Sequence, residues 1–265
     1  MALPKISVPI FTTELPSTGA KVKYRPFTVA EEKILLIARE ANDADQIIIA
    51  VKQVLNNCVV DDLDVEKLPT FDIEWLLVHI RAASIDNNVE FQIRDPDTEE
   101  IITLEMRIED IKLHRNPEHT NKIKADDTYT ILMRYPTIDE SIKLIQVLAE
   151  YSRLQSAIKA TDPDSSERKK AEIEFNSFNK KRVQIEFDIT IGCMDKLVGD
   201  DQIFDFSDST PKEVNAFVDS LDARAVERIK TFFETMPILR HEIKYKNKKG
   251  DEKTFVIQGL NSFFQ

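Results

Sequence analysis

The sequence predicts an α+β protein with a small antiparallel sheet and helices, a helical second half and a C-terminal β-hairpin. Apolar and polar residues alternate between residues 89 and 108, which is typical of paired strands. Capping boxes of the form Thr-x-x-Glu precede three helical periodicities, at Thr28, Thr137 and Thr210. We therefore expect three portions: a mixed α+β portion over 1–136, a helical portion over 137–236, and a C-terminal hairpin with an apolar tail over 237–265.

The first portion is predicted to begin with two short strands and three helices. A Ser17-Thr18-Gly19 turn signal separates the strands, and apolar residues spaced three and four apart identify the helices. The third helix carries the only tryptophan of the chain, Trp75. The predicted elements are strands Ile10–Leu15 and Lys21–Arg25, a helix from Thr28, and helices Asp43–Asn57 and Phe71–Ile85.

A β-hairpin follows, and a third strand is expected to join it. The hairpin strands cover 89–94 and 101–108, and the turn between them contains Pro96 and Asp97. A loop over 115–125 leads to a third strand over 128–135. We expect these three strands to form one antiparallel sheet.

The second half is predicted to be helical up to Pro237. Apolar spacing and the capping boxes predict helices over about 137–159, 166–199, 211–221 and 223–235. Alternating residues then predict a terminal hairpin, with its turn at 247–251. No internal repeat is evident in the sequence.

The composition indicates an acidic, soluble protein that binds neither nucleic acid nor membranes. The 265 residues carry a net charge of −11, whereas a nucleic-acid-binding protein usually shows a basic footprint. No apolar run approaches the ~18 residues that span a bilayer, and the N-terminus does not resemble a secretory signal. Cys58 and Cys193 are expected to be reduced, buried thiols.

No cluster of residues predicts a catalytic, metal or cofactor site. His114 and His119 are expected in a solvated loop, and His79 in the core. The carboxylates around 61–64 and 200–205 lack the glycine and the terminal bidentate glutamate of a calcium loop. The sequence also has no nucleophile elbow, phosphate loop, dinucleotide fingerprint or zinc-protease motif.

Basic residues are concentrated in one segment, Lys246 to Lys249. It could bind an anion, or it could be the turn of a hairpin in which Gly250 supplies the unusual backbone angle. Asp251 and Glu252 dilute its charge, so we favour the hairpin turn.

Four segments carry a resemblance to a known family: YRPFTVAEEKILL (24–36), LPTFDIEWLLVHIRAASI (68–85), FFETMPILRHEIKY (232–245) and GLNSFF (259–264). Together they resemble the baseplate hub and hub-assembly proteins of T-even-like contractile-tailed phages. The resemblance implies a non-enzymatic structural or assembly protein without cofactors, present in the host cytoplasm during assembly and in the virion tail baseplate. The implied partners are other hub subunits, with the tape-measure protein as a further candidate.

The resemblance also bears on the basic turn. Several members of that family carry Cys-x-x-Cys-Gly in this hairpin, which resembles half of a zinc ribbon. The corresponding residues here are Asn247-Lys248-Lys249-Gly250. Because the thiols are absent, and two thiolates would supply only half of a tetrahedral site, we expect no zinc.

The apolar tail is the candidate partner-binding segment. Leu260, Phe263 and Phe264 would either anchor a partner or fold back onto the protein's own core. Two other functions stay open at this point. One is a dedicated assembly chaperone that is absent from the finished virion, and the other is a hydrolase that uses the acidic loops.

Overall fold

The computed structural model describes residues 6–41, 43–84, 88–107 and 110–258. The chain divides into two compact units: unit 1 comprises residues 1–116 and 237–265, and unit 2 comprises residues 117–236. Seven α-helices and several small antiparallel sheets occur in the described residues. This arrangement confirms the predicted α+β class.

The first part of unit 1 follows the predicted order of strands and helices. Its core centres on the third helix, where Ile73, Leu76 and Ile80 have no exposed surface. The elements are β1 (Phe11–Glu14), β2 (Lys21–Tyr24), α1 (Val29–Ala41), α2 (Ala44–Cys58), α3 (Thr70–Ser84), β3 (Asn88–Arg94), β4 (Ile101–Arg107) and β5 (Lys112–His114).

The hairpin predicted over 89–94 and 101–108 is confirmed, with strands at Asn88–Arg94 and Ile101–Arg107, and Asp95 holds its turn. Strands β3 and β4 pair antiparallel. The buried Asp95 carboxylate accepts hydrogen bonds from the Asp97 N–H at 3.1 Å and the Thr98 N–H at 2.9 Å. Its second oxygen accepts the Tyr245 hydroxyl at 2.9 Å, so the turn is tied to the C-terminal part of the same unit.

Unit 2 combines a four-stranded antiparallel sheet with four helices. The strand order is β6-β7-β8-β9, and Ile131, Met133, Ile189 and Phe232 belong to its buried core. The elements are β6 (Lys122–Lys124), β7 (Thr130–Met133), α4 (Ile138–Ala160), α5 (Ser166–Gly192), β8 (Met194–Val198), β9 (Ile203–Asp205), α6 (Pro211–Asp219) and α7 (Ala223–Glu234).

Two expectations for this region were wrong. Strand β7 does not join the 88–107 hairpin, because it pairs with β6 and β8 in unit 2. Helix α5 ends at Gly192 and does not continue to about residue 199. The segment Met194–Val198 forms β8 instead, since its backbone groups pair with β7.

The C-terminal hairpin completes unit 1. Strand β10 (Ile238–Lys246) pairs with β11 (Glu252–Gln258) and, on its other side, with β5. Gly250 has φ 85°, and the Asn247 side-chain oxygen accepts the N–H groups of Lys249 and Asp251, both at 3.0 Å. The segment is therefore a hairpin turn, and Asn247 occupies amides that an anion would need.

Each unit contains the same motif. Two antiparallel strands lead to an arginine, a threonine three residues later begins a helix, and a glutamate three residues after the threonine contacts the arginine. A second helix leads to a buried cysteine whose carbonyl oxygen accepts the arginine N–H, at 2.8 Å in both units. The residues are Arg25, Thr28, Glu31 and Cys58 in unit 1, and Arg134, Thr137, Glu140 and Cys193 in unit 2. The expectation of no internal repeat was wrong.

The correspondence extends beyond these four positions. The residue before each arginine pairs antiparallel with the residue after each cysteine, which are Tyr24 with Val59 and Met133 with Met194. In both units an aspartate-capped 3-10 turn then precedes the next helix. The main difference is length: α1 and α2 have 13 and 15 residues, whereas α4 and α5 have 23 and 27.

Candidate interaction surfaces

The three tail residues predicted to bind a partner lie outside the described residues. Leu260, Phe263 and Phe264 follow the last described strand, β11, which ends at Gln258. Whether they anchor a partner or contact their own unit therefore stays a prediction.

Two of the four histidines, His79 and His119, pack against aromatic rings. His79 is packed against Trp75, with ring centroids 4.2 Å apart, and its Nδ1 donates to the Trp75 carbonyl at 2.8 Å. Burial lowers the pKa of His79. His119 was expected to be solvated, but it is half-buried in unit 2, where it stacks on Phe232 and hydrogen-bonds Tyr135 at 2.9 Å.

In unit 1 the repeated motif forms an ion pair in which the carboxylate is buried and the guanidinium is half-buried. The Arg25 guanidinium donates to both Glu31 oxygens, at 2.9 and 3.3 Å. The Thr28 N–H and hydroxyl donate to the same carboxylate at 2.8 and 2.7 Å. These bonds, led by the one from Arg25, hold the pKa of Glu31 at about 2 against the effect of burial. The charged pair thus connects the end of β2 to the first turn of α1.

The matching ion pair in unit 2 is more exposed. Arg134 donates to Glu140 at 2.8 and 2.7 Å, and the Thr137 N–H donates at 2.8 Å. Burial raises the pKa of Glu140, but these bonds outweigh burial and lower it. Both units carry the sequence Arg-x-x-Thr-x-x-Glu. The capping box predicts the roles of its Thr and Glu, whereas the role of the Arg depends on the three-dimensional structure.

The two cysteines behave as packed groups rather than nucleophiles. Both are fully buried free thiols, as predicted. Burial raises the pKa of Cys58 to about 11 and that of Cys193 to about 12, even though an arginine lies near each thiol. A thiol that stays protonated is a poor nucleophile and a poor metal ligand.

Asp72 is a buried carboxylate at the start of α3. It has no exposed surface, and its Oδ1 accepts the Ser17 N–H at 3.0 Å while Oδ2 accepts the Ser17 hydroxyl. Burial raises the pKa of Asp72 to about 6, although the bonds from Ser17 oppose the rise.

The basic turn is neutralised within unit 1. Lys246 pairs with Glu252 at 3.4 Å and Lys248 with Glu100 at 3.3 Å. Lys253 pairs with Asp97. The Lys249 ammonium contacts the Asp97 carbonyl oxygen at 3.4 Å, so these contacts reduce the positive charge that the turn presents to a phosphate.

Within residues 6–41, 43–84, 88–107 and 110–258, no group of three or more His, Cys, Asp or Glu side chains is placed to hold a metal ion. The same residues contain no helix long and apolar enough to cross a membrane.

A shallow groove in unit 2 lies between the turn after β6 and the helices α6 and α7. Tyr129 and Phe217 supply aromatic walls, and Asp126 and Arg228 supply charges of both signs. The Arg228 guanidinium donates a hydrogen bond to the Lys124 carbonyl oxygen at 2.8 Å. The lining defines no particular ligand class.

Large apolar side chains are exposed on several elements. In unit 1, α1 exposes Ile37 by 71%. In unit 2, the edge strand β9 exposes Ile203 by 68%, and α4 and α5 expose a further set: Ile145, Leu148, Ile173, Val183 and Phe187. Exposed apolar side chains of this kind mark contacts with other proteins only where they form a contiguous patch.

The described residues thus form an α+β protein, and comparison with known proteins identifies its family. A family model described as T4 bacteriophage base plate protein matches residues 8–265. The chain therefore belongs to this phage baseplate family, which confirms the resemblance seen in the sequence. No curated protein and no solved structure matches it.

Proposed function

We propose that the protein is a non-enzymatic component of the phage baseplate hub, or a factor in hub assembly, that acts through protein–protein contacts. The observation that carries the proposal is the family match over nearly the whole chain. The exposed apolar side chains of α1, β9 and the α4–α5 pair support it, because such surfaces are usually covered in an assembly. Other hub subunits are the proposed partners, with the tape-measure protein as a further one.

The test is recovery of the chain and its partners from infected cells. A tagged copy is expressed in the host cytoplasm during infection, purified, and its partners are identified by mass spectrometry. Hub subunits should be recovered in near-stoichiometric amounts. Recovery of wedge or sheath subunits without hub subunits would refute the hub assignment.

The apolar C-terminal tail of the chain is proposed as one contact in this assembly. We expect Leu260 and Phe263 to turn inward and Phe264 to stay partly free. The double variant Phe263→Ala/Phe264→Ala should then lose both thermal stability and the ability to support baseplate formation, since truncating a buried aromatic costs roughly 3–5 kcal/mol. Val256→Ala, at a partly exposed position of β11, is the control. A double variant that melts like the parent but fails in assembly would show that the tail is a free anchor.

A second candidate is a dedicated assembly chaperone that leaves before the virion is complete. The net charge of −11 favours it, because an acidic protein can keep an apolar partner dispersed. Mass spectrometry of purified phage tails distinguishes a hub component from an assembly chaperone. A hub component is retained in stoichiometric amount, whereas a chaperone is present in infected cells and missing from tails.

A further inference from the structure

The sheet of unit 2 is not fully covered on its core face. Ile131 of β7, Leu197 of β8 and Phe204 of β9 are directly paired across the three strands, so their side chains lie on one face. Ile131 has no exposed surface, Leu197 is half-buried, and Phe204 is 44% exposed. β9 is the last strand in the order β6-β7-β8-β9. The centre of this face is therefore covered, whereas its edge at Phe204 is open.

A groove extends from this edge of the sheet to α6. It has a volume of about 410 Å³ and shares Tyr129 and Phe217 with the shallow groove described above, but it extends towards β9 instead of α7. We call it the β9–α6 groove. Its apolar lining consists of Tyr129, Leu197, Phe204, Phe206, Val214 and Phe217.

The walls of the β9–α6 groove are held by packing within unit 2. The Phe206 and Phe217 ring centroids lie 5.5 Å apart, and Val214 is buried. The backbone of Gly199 lies so close to Tyr129 that a Cβ there would be 2.9 Å from the ring, an approach that only glycine permits. The surface is thus preformed, which lowers the entropic cost of binding a partner.

Every charged residue that lines the groove is acidic. These residues are Asp126, Asp205 and Glu213, and no Lys, Arg or His of the described residues lines it. Each carboxylate accepts two hydrogen bonds on one oxygen, from groups two or three residues away: Asp126 at 2.8 and 2.7 Å, Asp205 at 2.9 and 2.7 Å, and Glu213 at 2.8 and 2.7 Å. Within the described part of the chain, the second oxygen of each accepts no hydrogen bond.

Two of these carboxyls are held in the charged form. The hydrogen bonds from Ser207 and, to a smaller degree, the charge of Lys196 lower the pKa of Asp205. Lys196 is the cross-strand neighbour of Asp205 and does not line the groove. The hydrogen bonds from Thr210 lower the pKa of Glu213. The groove therefore presents fixed negative charges beside its apolar lining at neutral pH.

We propose that the β9–α6 groove is the docking site for a segment of another protein that carries an apolar side chain between lysine or arginine residues. The apolar side chain packs against Phe204 and Phe217, and the flanking cations pair with the second oxygens of Asp126, Asp205 and Glu213. That the protein carrying this segment is a hub subunit rests on the proposed function.

Charge and apolar surface together select this occupant. An acidic segment is repelled by the three carboxylates, and so is a second copy of this chain, whose net charge is −11. A basic segment without an apolar side chain leaves Phe204 in water. In protein interfaces, buried apolar anchors supply most of the affinity and complementary charges give specificity. The groove also borders an edge strand, along which an extended segment can lie.

The test titrates a blocked peptide into the purified full chain. The probe is Lys-Gly-(4-fluorophenylalanine)-Gly-Lys, followed by the ¹⁹F signal of its ring, and the comparison peptide has Glu in place of both Lys. The Lys peptide should bind with a Kd below about 5 mM. The Glu peptide should bind at least about tenfold more weakly, and the Kd of the Lys peptide should rise with ionic strength.

A first pair of variants tests the carboxylates. Asp126→Asn/Glu213→Gln removes two charges but keeps an acceptor for the local N–H groups, and it should weaken binding of the Lys peptide about fivefold. Asp164→Asn/Glu167→Gln removes the same two charges from exposed positions outside the groove. This control should change the Kd less than about twofold.

A second pair of variants tests the apolar lining. Phe204→Ser should weaken binding of the Lys peptide at least about tenfold, because the anchor loses its apolar contact. Ile203→Ser is the control, since Ile203 is the neighbouring residue on the opposite face of β9 and is 68% exposed. It should bind the peptide like the parent. Thermal melting establishes that every variant is folded.

Three results would overturn the proposal: equal affinity for the Lys and Glu peptides, no binding of the Lys peptide up to about 5 mM, or control variants that weaken binding as much as the groove variants. The proposed function is read separately, from hub subunits recovered with the parent chain from infected cells. If the parent binds the peptide as expected but recovers no hub subunits, the docking site stands and the proposed function is refuted. If the parent recovers hub subunits but gives one of the three results, only the docking site is refuted.

Discussion

Replacing Asp72 by asparagine is expected to stabilise unit 1 at neutral pH. Asp72 has no exposed surface, and its two oxygens accept hydrogen bonds from the N–H and the hydroxyl of Ser17. Asparagine has nearly the same volume and can still accept the Ser17 N–H, and its NH₂ group can donate to the Ser17 hydroxyl oxygen. The substitution therefore keeps the geometry and removes only the buried charge.

The magnitude follows from the pKa of this carboxyl. It is about 6 in the folded protein, against an ordinary value of 3.8. Because the folded state binds the proton more tightly, stability decreases as pH rises from about 4 to about 6 and stays lower above that. At ~1.4 kcal/mol per pKa unit the full effect is about 3 kcal/mol. Losing a carboxylate near a helix N-terminus offsets about 0.5–1 kcal/mol, so we expect Asp72→Asn to add about 2 kcal/mol.

The assay is urea unfolding followed by the fluorescence of Trp75, which lies on the same helix and is the only tryptophan. The parent is compared with Asp72→Asn near pH 5 and near pH 7.5. The variant should be more stable than the parent mainly at pH 7.5. Its free energy of unfolding should also fall less between pH 5 and pH 7.5 than that of the parent. Asp62→Asn, at an exposed position, controls for the change in net charge. A variant less stable than the parent at both pH values would show that the charged bonds to Ser17 outweigh the cost of burial.

Further predictions concern the repeated motif and the terminal turn. Arg25→Gln should lower the free energy of unfolding by about 3 kcal/mol, because its glutamate partner is only 5% exposed; Arg134→Gln, whose partner is 25% exposed, should cost only about 1 kcal/mol. Equal losses in urea unfolding would contradict this ranking. Cys58 and Cys193 should react with a thiol reagent near pH 8 only after denaturation, and rapid labelling of the native protein would disprove their burial. Asn247→Ala leaves two amides of the terminal turn without their acceptor and should destabilise the hairpin by about 1–2 kcal/mol. Amide hydrogen exchange in β10 and β11 should then be faster than in the parent. Unchanged exchange would show that the Asn247 side chain does not stabilise the turn.

Features that depend on neighbouring residues were predictable from the sequence. Thr137 and Thr210 form capping boxes with the glutamates three residues later, with both bonds present in each case. The terminal turn closes at Gly250, the one position there with positive φ. In each case a side chain or a backbone angle within a few residues determines the local structure.

Pairing between distant segments could not be predicted in this way. The partner of the strand at 130–133 lies beyond two helices, at 194–198. The apolar residues Leu197 and Val198 fit the spacing of a continuing helix as well as that of a strand. The repeat has no fixed period in the sequence, because helices of different length separate the arginine from the cysteine in the two units.

The pairing of β5 with β10 affects how the chain is made. Leu113 and Leu239 are neighbours in one sheet, yet the ribosome must synthesise all of unit 2 between them. At roughly 5–20 residues per second, the nascent chain carries β5 without its partner strand for on the order of ten seconds. Unit 2 is continuous and can close its core during that time. Unit 2 is therefore completed before unit 1, although unit 1 contains the N-terminal segment.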